Sequence, residues 1–405
     1  MRKSGEKNKT TENRKRFNAM KIEVMKIKDK AKEIYYTNRI EKCGNNQKLL
    51  FGLLNEMLSK KSQQVLPDNY TDKDLANLFN QYFLDKIENI RKNLNAKNVN
   101  RDEINEITTH TRMDSFEKVS ESETKRVINS LSNATCALDP IHTGLVKQCL
   151  DILLPIHTKI INLSLGYGVF PTELKTALIG PSLKKPKLDH NTLKNYRPVS
   201  NIPFLSKVIE KCAISQLDSY MATNNMHELH QSAYRVGHST ETALTRINND
   251  IACELDRGRG VILVLLDLSA AFDTIDHEIL HNRMRKRLGI CHSALDWFDS
   301  YHNRRMQRVV INDSTSESVI LKFGGPQGSL IGAEDYKLYT LPVGDIIRKH
   351  NMLFEIYADD TQLYVSFVIQ DSSDLVNAIS KIELCVSEIK DWMTRNLLKL
   401  NAEKN

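Results

Sequence analysis

Apolar positions are sparse at the start of the chain and settle into helical spacing further on. Through residues 1–45, Phe17, Ile22, Met25 and Ile34 are too scattered to form a buried face, which predicts a frayed helix at best. From 46 to 95, Leu49, Leu50, Leu53, Leu54 and Met57, then Leu75, Leu78, Phe79, Phe83 and Ile87, recur at helical intervals around a loop at Pro67-Asp68-Asn69. Asn, Lys and Thr dominate from about 93 to 112, which reads as a linker. Ser120-Glu121-Ser122-Glu123 then offers a helix N-terminus leading into Val127, Ile128 and Leu131. After Asp139-Pro140 a long apolar-periodic run extends to Gly166 and Gly168, and two helices broken at Pro155 fit it.

Strand-like stretches alternate with helices in the second half. Ala177 to Leu183 is short enough for a strand, and Leu205, Val208, Ile209, Ile214 and Leu217 form a helical stripe within 201–255. Val261 to Leu266 is six consecutive apolar residues after Gly258 and Gly260, which predicts a strand buried on both faces and ending at Asp267. Asp273 and Asp276 favour a helix start, with a stop at Gly289, and Trp297, Phe298 and Tyr301 mark the core face of another helix. Strands at about 307–311 and 318–323 flank the turn Asn312-Asp313-Ser314. Met352 to Ile356 and Gln362 to Phe367 read as two half-buried strands joined by Tyr357-Ala358-Asp359-Asp360. A last apolar stripe from Leu375 to Leu397 predicts one long amphipathic helix starting near Ser372.

Length and composition narrow the class. At 405 residues and 40% hydrophobic, the chain can hold two or three domains with real cores. The longest apolar run is six residues, far short of a membrane span, and the polar, Lys-rich start lacks a secretory signal core. An intracellular protein of nucleus or cytoplasm, with no membrane partner, is expected. Seven cysteines without a CxxC pair argue against disulfides and structural zinc. The net charge of +7 is an N-terminal feature: residues 1–42 carry fourteen Lys or Arg against six Asp or Glu. Such a segment either holds a nucleic-acid backbone or is a solvated tail.

The carboxylates carry the candidate chemistry. Asp359 and Asp360 at a tight turn repel each other unless a cation sits against them, and oxygen-seeking Mg²⁺ is the usual cation of phosphate chemistry. Asp267 at the end of an apolar strand is costly unless paired or bound to metal. Taken singly, each has a plainer reading, since Asp is a common turn residue and Asp267 could simply begin a loop.

Six pieces taken in order point further: Asn195-Tyr196-Arg197-Pro198-Val199-Ser200, Gln231-Ser232-Ala233-Tyr234-Arg235, Gly237-His238-Ser239-Thr240, Leu266 to Asp273, Gly325-Pro326-Gln327-Gly328-Ser329 and Tyr357-Ala358-Asp359-Asp360. Together they resemble the reverse transcriptases of non-LTR, LINE-type retrotransposons. The resemblance implies an α+β fold, with right-hand polymerase fingers and a split-βαβ palm with helices on one face, after a helical N-terminal region. The domains expected are a basic helical region and linker over 1–112, a helical extension over 113–176, and fingers and palm over 177–405. It implies RNA-directed DNA polymerisation, with RNA template, DNA primer and dNTPs as partners. Asp267, Asp359 and Asp360, with the Leu268 carbonyl, would hold two Mg²⁺ ions, Mn²⁺ being a possible substitute. Lys185 and Arg197 would contact the triphosphate, Phe272 the sugar, Gln327 and Gly328 the nascent base pair, and Arg235 and His238 the template or primer backbone. For Lys185 the alternative is ordinary surface charge.

The same resemblance implies a piece truncated at both ends, without endonuclease or thumb, and with weak activity. The alternatives are an inactive nucleic-acid-binding remnant, or a group II intron or retron type of enzyme. Ala233 and Tyr234 replace the usual Gly and Phe. Gly332-Ala333-Glu334-Asp335-Tyr336-Lys337 replaces an apolar run, so either that helix is solvated or the copy is damaged.

Overall fold

The computed structural model describes residues 11–44, 50, 53–54, 66–95 and 109–401. The chain divides between Val65 and Leu66 into two units. In the first, α1 (Thr11–Cys43) is a continuous helix of 33 residues rather than a frayed one. Its Lys, Glu, Met and Ala residues are good helix formers, which suffices without a buried face; Phe17 and Met20 are exposed. Most of the apolar stretch at 46–65 and of the linker at 93–112 lies outside the described residues.

The second unit is built on two sheets. In the first, β1 (Thr176–Leu183) pairs antiparallel with β2 (Tyr196–Asn201) and parallel with β4 (Met306–Ile311). The order of strands in the chain places β3 between β2 and β4, in the other sheet. Ala177 and Ile179 alternate inward on β1 and meet Leu75, Phe79 and Phe83 of α2 (Asp72–Asn95), with Val309 and Ile311 of β4. Each fully buried large apolar side chain contributes about 2 kcal/mol. The strand expected at 318–323 is shorter than the pattern suggests. It is replaced by β5 (Ser314–Thr315) and β6 (Val319–Ile320), both paired to β4. The break is where Asn80 of α2 donates to Ser316 Oγ at 3.0 Å and to the Glu317 carbonyl at 2.9 Å, drawing the backbone out of the ladder.

In the second sheet β8 (Asp360–Val368) lies between β3 (Arg259–Leu266) and β7 (Leu353–Tyr357), antiparallel to both. The expectation that β3 is buried on both faces fails. Ile262 and Val264 pack on the main core, but Leu263 and Leu265 are 41% and 58% exposed on the other face. A six-residue apolar run reads the same at the edge of a three-stranded sheet as in a fully covered one.

Helices pack on both faces. They include α3 (Glu121–Ser130), α4 (Thr143–Gln148), α5 (Leu150–Tyr167), α6 (Phe204–Thr223), α7 (Thr240–Asp256), α8 (His277–Leu288), α9 (His292–His302), α10 (Leu330–Lys349) and α11 (Ser372–Arg395). The main core lies on the inner face, whereas α7 meets the other one, where its Asp250 accepts from Tyr364. Ser120 caps α3 reciprocally with Glu123, as the sequence predicts. Met113, Ile128 and Ile161 share one core with Val208, Trp297, Phe298 and Tyr301. The break expected at Pro155 falls instead at Cys149, between α4 and α5. Pro155 is on the exposed side of α5, where water can satisfy the Asp151 carbonyl that loses its donor.

The charged stretch at 333–337 is neither solvated nor unpaired. Glu334, Asp335 and Lys337 are buried in α10. Lys337 Nζ lies 2.7 Å from Glu334 and 3.8 Å from Asp218, and Asp335 meets His302 Nε2 at 2.8 Å. Burial pushes the Asp335 carboxyl up to about 8 and the His302 imidazole down to about 3. Burial thus favours the neutral form of both groups. Because the folded-state pKa lies above the ordinary 3.8, the stability this group adds is complete below about pH 4 and is lost as pH rises through about 8. Melting curves of wild type and Asp335→Asn across that window should show the variant gaining on wild type as pH rises; a gap that does not change with pH would contradict a buried neutral carboxyl.

Candidate active site

The site begins at the β7–β8 hairpin. Tyr357 pairs with Asp360, so Ala358 and Asp359 form a two-residue loop. Ala358 has φ +56°, a left-handed conformation that costs an L-residue about 1–2 kcal/mol. The loop is nevertheless held, because the Gln231 side chain accepts from Ala358 N at 3.1 Å and donates to Ala358 O at 3.3 Å.

Register brings the third carboxylate in. Leu266 of β3 stands opposite Thr361 of β8, so the next residue, Asp267, emerges beside Asp360 at the same end of the sheet. Past Asp267 the chain is tied to the segment after α11. Asn401 N donates to the Asp267 carbonyl and Ser269 N to the Lys399 carbonyl, both at 2.9 Å, and Asn401 Nδ2 donates to Asp267 Oδ2 at 2.8 Å. None of these bonds uses the Leu268 carbonyl. The buried Tyr336 phenol reports the convergence: its pKa is raised well above the ordinary value by burial and then by Asp359, Asp360, Tyr234 and Asp267.

Among the described residues no three His, Cys, Asp or Glu side chains are already gathered to hold a metal ion. The donors at this end of the sheet are carboxylate and carbonyl oxygens, which suit Mg²⁺ in kind. Backbone register puts Asp267 and the Asp359-Asp360 turn at the same end of the sheet.

A second group is joined to the first through residues 272–273. Phe272 packs against Tyr336 with ring centroids 4.7 Å apart. Asp273, expected at a helix start, is instead a partly buried carboxylate accepting from Gln327 Nε2 at 2.9 Å on both oxygens, and desolvation raises its pKa. Asp276 is the N-cap of α8. The Gln327 carbonyl accepts from Ser200 N at 2.7 Å, which links the loop to β2. Gly324 has φ +62°, and a Cβ there would lie 2.6 Å from the Phe272 carbonyl oxygen, so this close approach requires glycine.

The remaining candidates lie apart from these two groups. Lys185 is exposed in the loop after β1, and Arg197 is exposed on β2 opposite Ser182. Arg235 donates to the Glu228 and Gln231 carbonyls at 3.0 and 3.4 Å, which ties its own loop together. His238 is exposed just before α7. Gln231, Tyr336 and Asn401 were not singled out from sequence. Gln231 lies inside a matched piece, which is the available signal, whereas Asn401 lies beyond the six pieces and Tyr336 stands among charges. Among the described residues, no helix is long and apolar enough to cross a membrane.

Comparison with known proteins bears on the family. The family model "Reverse transcriptase (RNA-dependent DNA polymerase)" matches residues 183–405. A probable RNA-directed DNA polymerase from transposon BS of Drosophila melanogaster is 28% identical over 250 residues, 60% of this chain and 27% of that protein. The RNA-directed DNA polymerase from mobile element jockey of the same species is 25% identical over 280 residues, 66% of this chain and 29% of that protein. A third, from transposon X-element, is 26% identical over 250 residues. The matched stretch thus spans less than a third of the length of each of these curated relatives.

Proposed function

The chain belongs to the reverse transcriptase (RNA-dependent DNA polymerase) family, and from that membership we propose that it transfers nucleotidyl groups from dNTPs to a primer 3′-hydroxyl on an RNA template, as a non-LTR retroelement polymerase. The observation that carries the reading is the β3–β8 register, which sets Asp267 beside the Asp359-Asp360 turn. In this reading the three-stranded sheet with its helices is the palm, and the five-stranded sheet with α2 belongs to the fingers.

Bound by Asp267, Asp359, Asp360 and the Leu268 carbonyl, two Mg²⁺ ions, or Mn²⁺ in their place, would lower the pKa of the attacking hydroxyl and neutralise charge on the departing pyrophosphate. The carboxylates need not act as bases, since their role is to fix position. Phe272, braced by Tyr336, presents its ring to the sugar of the incoming nucleotide, where a 2′-hydroxyl would collide with it. Gln327 and Gly328, anchored through Asp273 and Ser200, lie against the nascent base pair. Lys185 and Arg197 offer a point charge and a planar fork to the triphosphate. Arg235 and His238 contact template or primer backbone.

Single-nucleotide extension of a primed RNA template with Mg²⁺ tests this directly. Asp359→Asn should lower the extension rate more than about a hundredfold, since losing a ligand exceeds the 10–100-fold typical of losing its supporting partner. Extension that is equal in both proteins would contradict the site. No extension in either, with equal RNA binding, would make the chain a nucleic-acid-binding remnant. Phe272→Ala should relax the preference for deoxynucleotides by about tenfold or more, a range set by what one pocket contact can discriminate; an unchanged sugar preference would remove Phe272 from this role.

A further inference from the structure

The metal-bearing turn does not hold its own shape. Ala358 is left-handed, and such a conformation persists in a residue with a Cβ only where the surroundings over-determine it. Those surroundings come from a segment 127 residues earlier in the chain. Residues 230–232 run parallel to β7: Ile356 N donates to the His230 carbonyl at 2.7 Å, and Ser232 N donates to the Ile356 carbonyl at 2.9 Å. The addition sets Gln231, buried at 5% exposure, directly against the turn.

Its carboxamide then brackets one residue. Oε1 accepts from Ala358 N at 3.1 Å and from Ala233 N at 3.0 Å, while Nε2 donates to Ala358 O at 3.3 Å. The Ala358 carbonyl belongs to the peptide that leads into Asp359, so holding that peptide sets where the Asp359 backbone nitrogen and Cα lie. Arg235 holds the other end, donating to the Gln231 carbonyl at 3.4 Å.

We propose that Gln231 is a positioning residue for the metal site: by gripping both polar groups of Ala358 it fixes the orientation of Asp359 without touching the ion or the substrate. The role rests on the polymerase reading, and its test separates the two. An amide is required, because the bracket needs one acceptor and one donor on the same rigid group; a carboxylate would set a second acceptor against the Ala358 carbonyl, and an apolar side chain would leave a buried N–H and C=O unmet.

The experiment is Mn²⁺ binding to the folded full chain, measured by electron paramagnetic resonance. It compares wild type, Asp359→Asn, the near-isosteric Gln231→Met, and Gln231→Met combined with Ala358→Gly. Gln231→Met should bind Mn²⁺ about tenfold or more weakly, as is typical when a partner that orients a ligand is lost. Adding Ala358→Gly removes the cost of the left-handed conformation and should recover part of that loss. The Mg²⁺ concentration for half-maximal extension should rise in parallel. Binding lost in Asp359→Asn but unchanged in Gln231→Met would overturn the role of Gln231 and leave the polymerase reading standing. Binding equal in wild type and Asp359→Asn would overturn the metal site itself, and with it this role. Should Gln231→Met fold poorly, Gln231→Glu, which keeps size and polarity, must also weaken binding, and wild-type affinity in that variant would equally overturn the proposal.

Discussion

The register between β3 and β8 is the constraint on which the rest depends. Side chains alternate along a strand, so a slip of one residue would turn Val264 out of the core and move Asp267 away from the hairpin. The register is pinned from both sides. Val264 and Leu363 stand opposite each other and both belong to the main core, while Tyr364 on the other face donates its hydroxyl to Asp250 of α7 at 2.6 Å. Packing of apolar side chains thus decides which end of the sheet carries Asp267, Asp359 and Asp360.

A polar layer beneath the sheet repeats the same logic with different chemistry. Helix α10 carries charges into the core, and each is met: Glu334 by Lys337, Asp335 by His302. Removing one partner of the buried Glu334–Lys337 ion pair typically costs about 3–5 kcal/mol, because the other is left uncompensated. The helix therefore keeps its place under the site through specific partners rather than through apolar contact alone. Tyr336 lies between these charges along the helix and reaches both Phe272 and the electrostatic field of the carboxylates.

Much of this was legible in the sequence, and the rest was not for physical reasons. The Asp359-Asp360 hairpin, the cap at Ser120 and the stripe of α11 follow from local patterns, which survive in a linear reading. Exposure of Leu263 and Leu265 does not, because an apolar run is silent about what covers its second face. The charges of α10 read as either a solvated helix or a damaged copy, because Asp218 and His302, which meet Lys337 and Asp335, lie far away in the chain. Gln231 and Asn401 act by side-chain bonds to distant backbone or carboxylate groups, which impose no period on the sequence. The resemblance to a family covers Gln231 in one of its pieces but implies no role for it.

The central claim is that Asp267 and the Asp359-Asp360 turn share a divalent-cation site. The most direct measurement replaces Mg²⁺ with Fe²⁺ in the folded chain and maps the backbone cleavage produced by locally generated hydroxyl radicals. The account predicts cuts confined to the neighbourhoods of Asp267 and of Asp359, both suppressed by excess Mg²⁺. Cleavage at only one of the two segments, or cleavage indifferent to Mg²⁺, would contradict it.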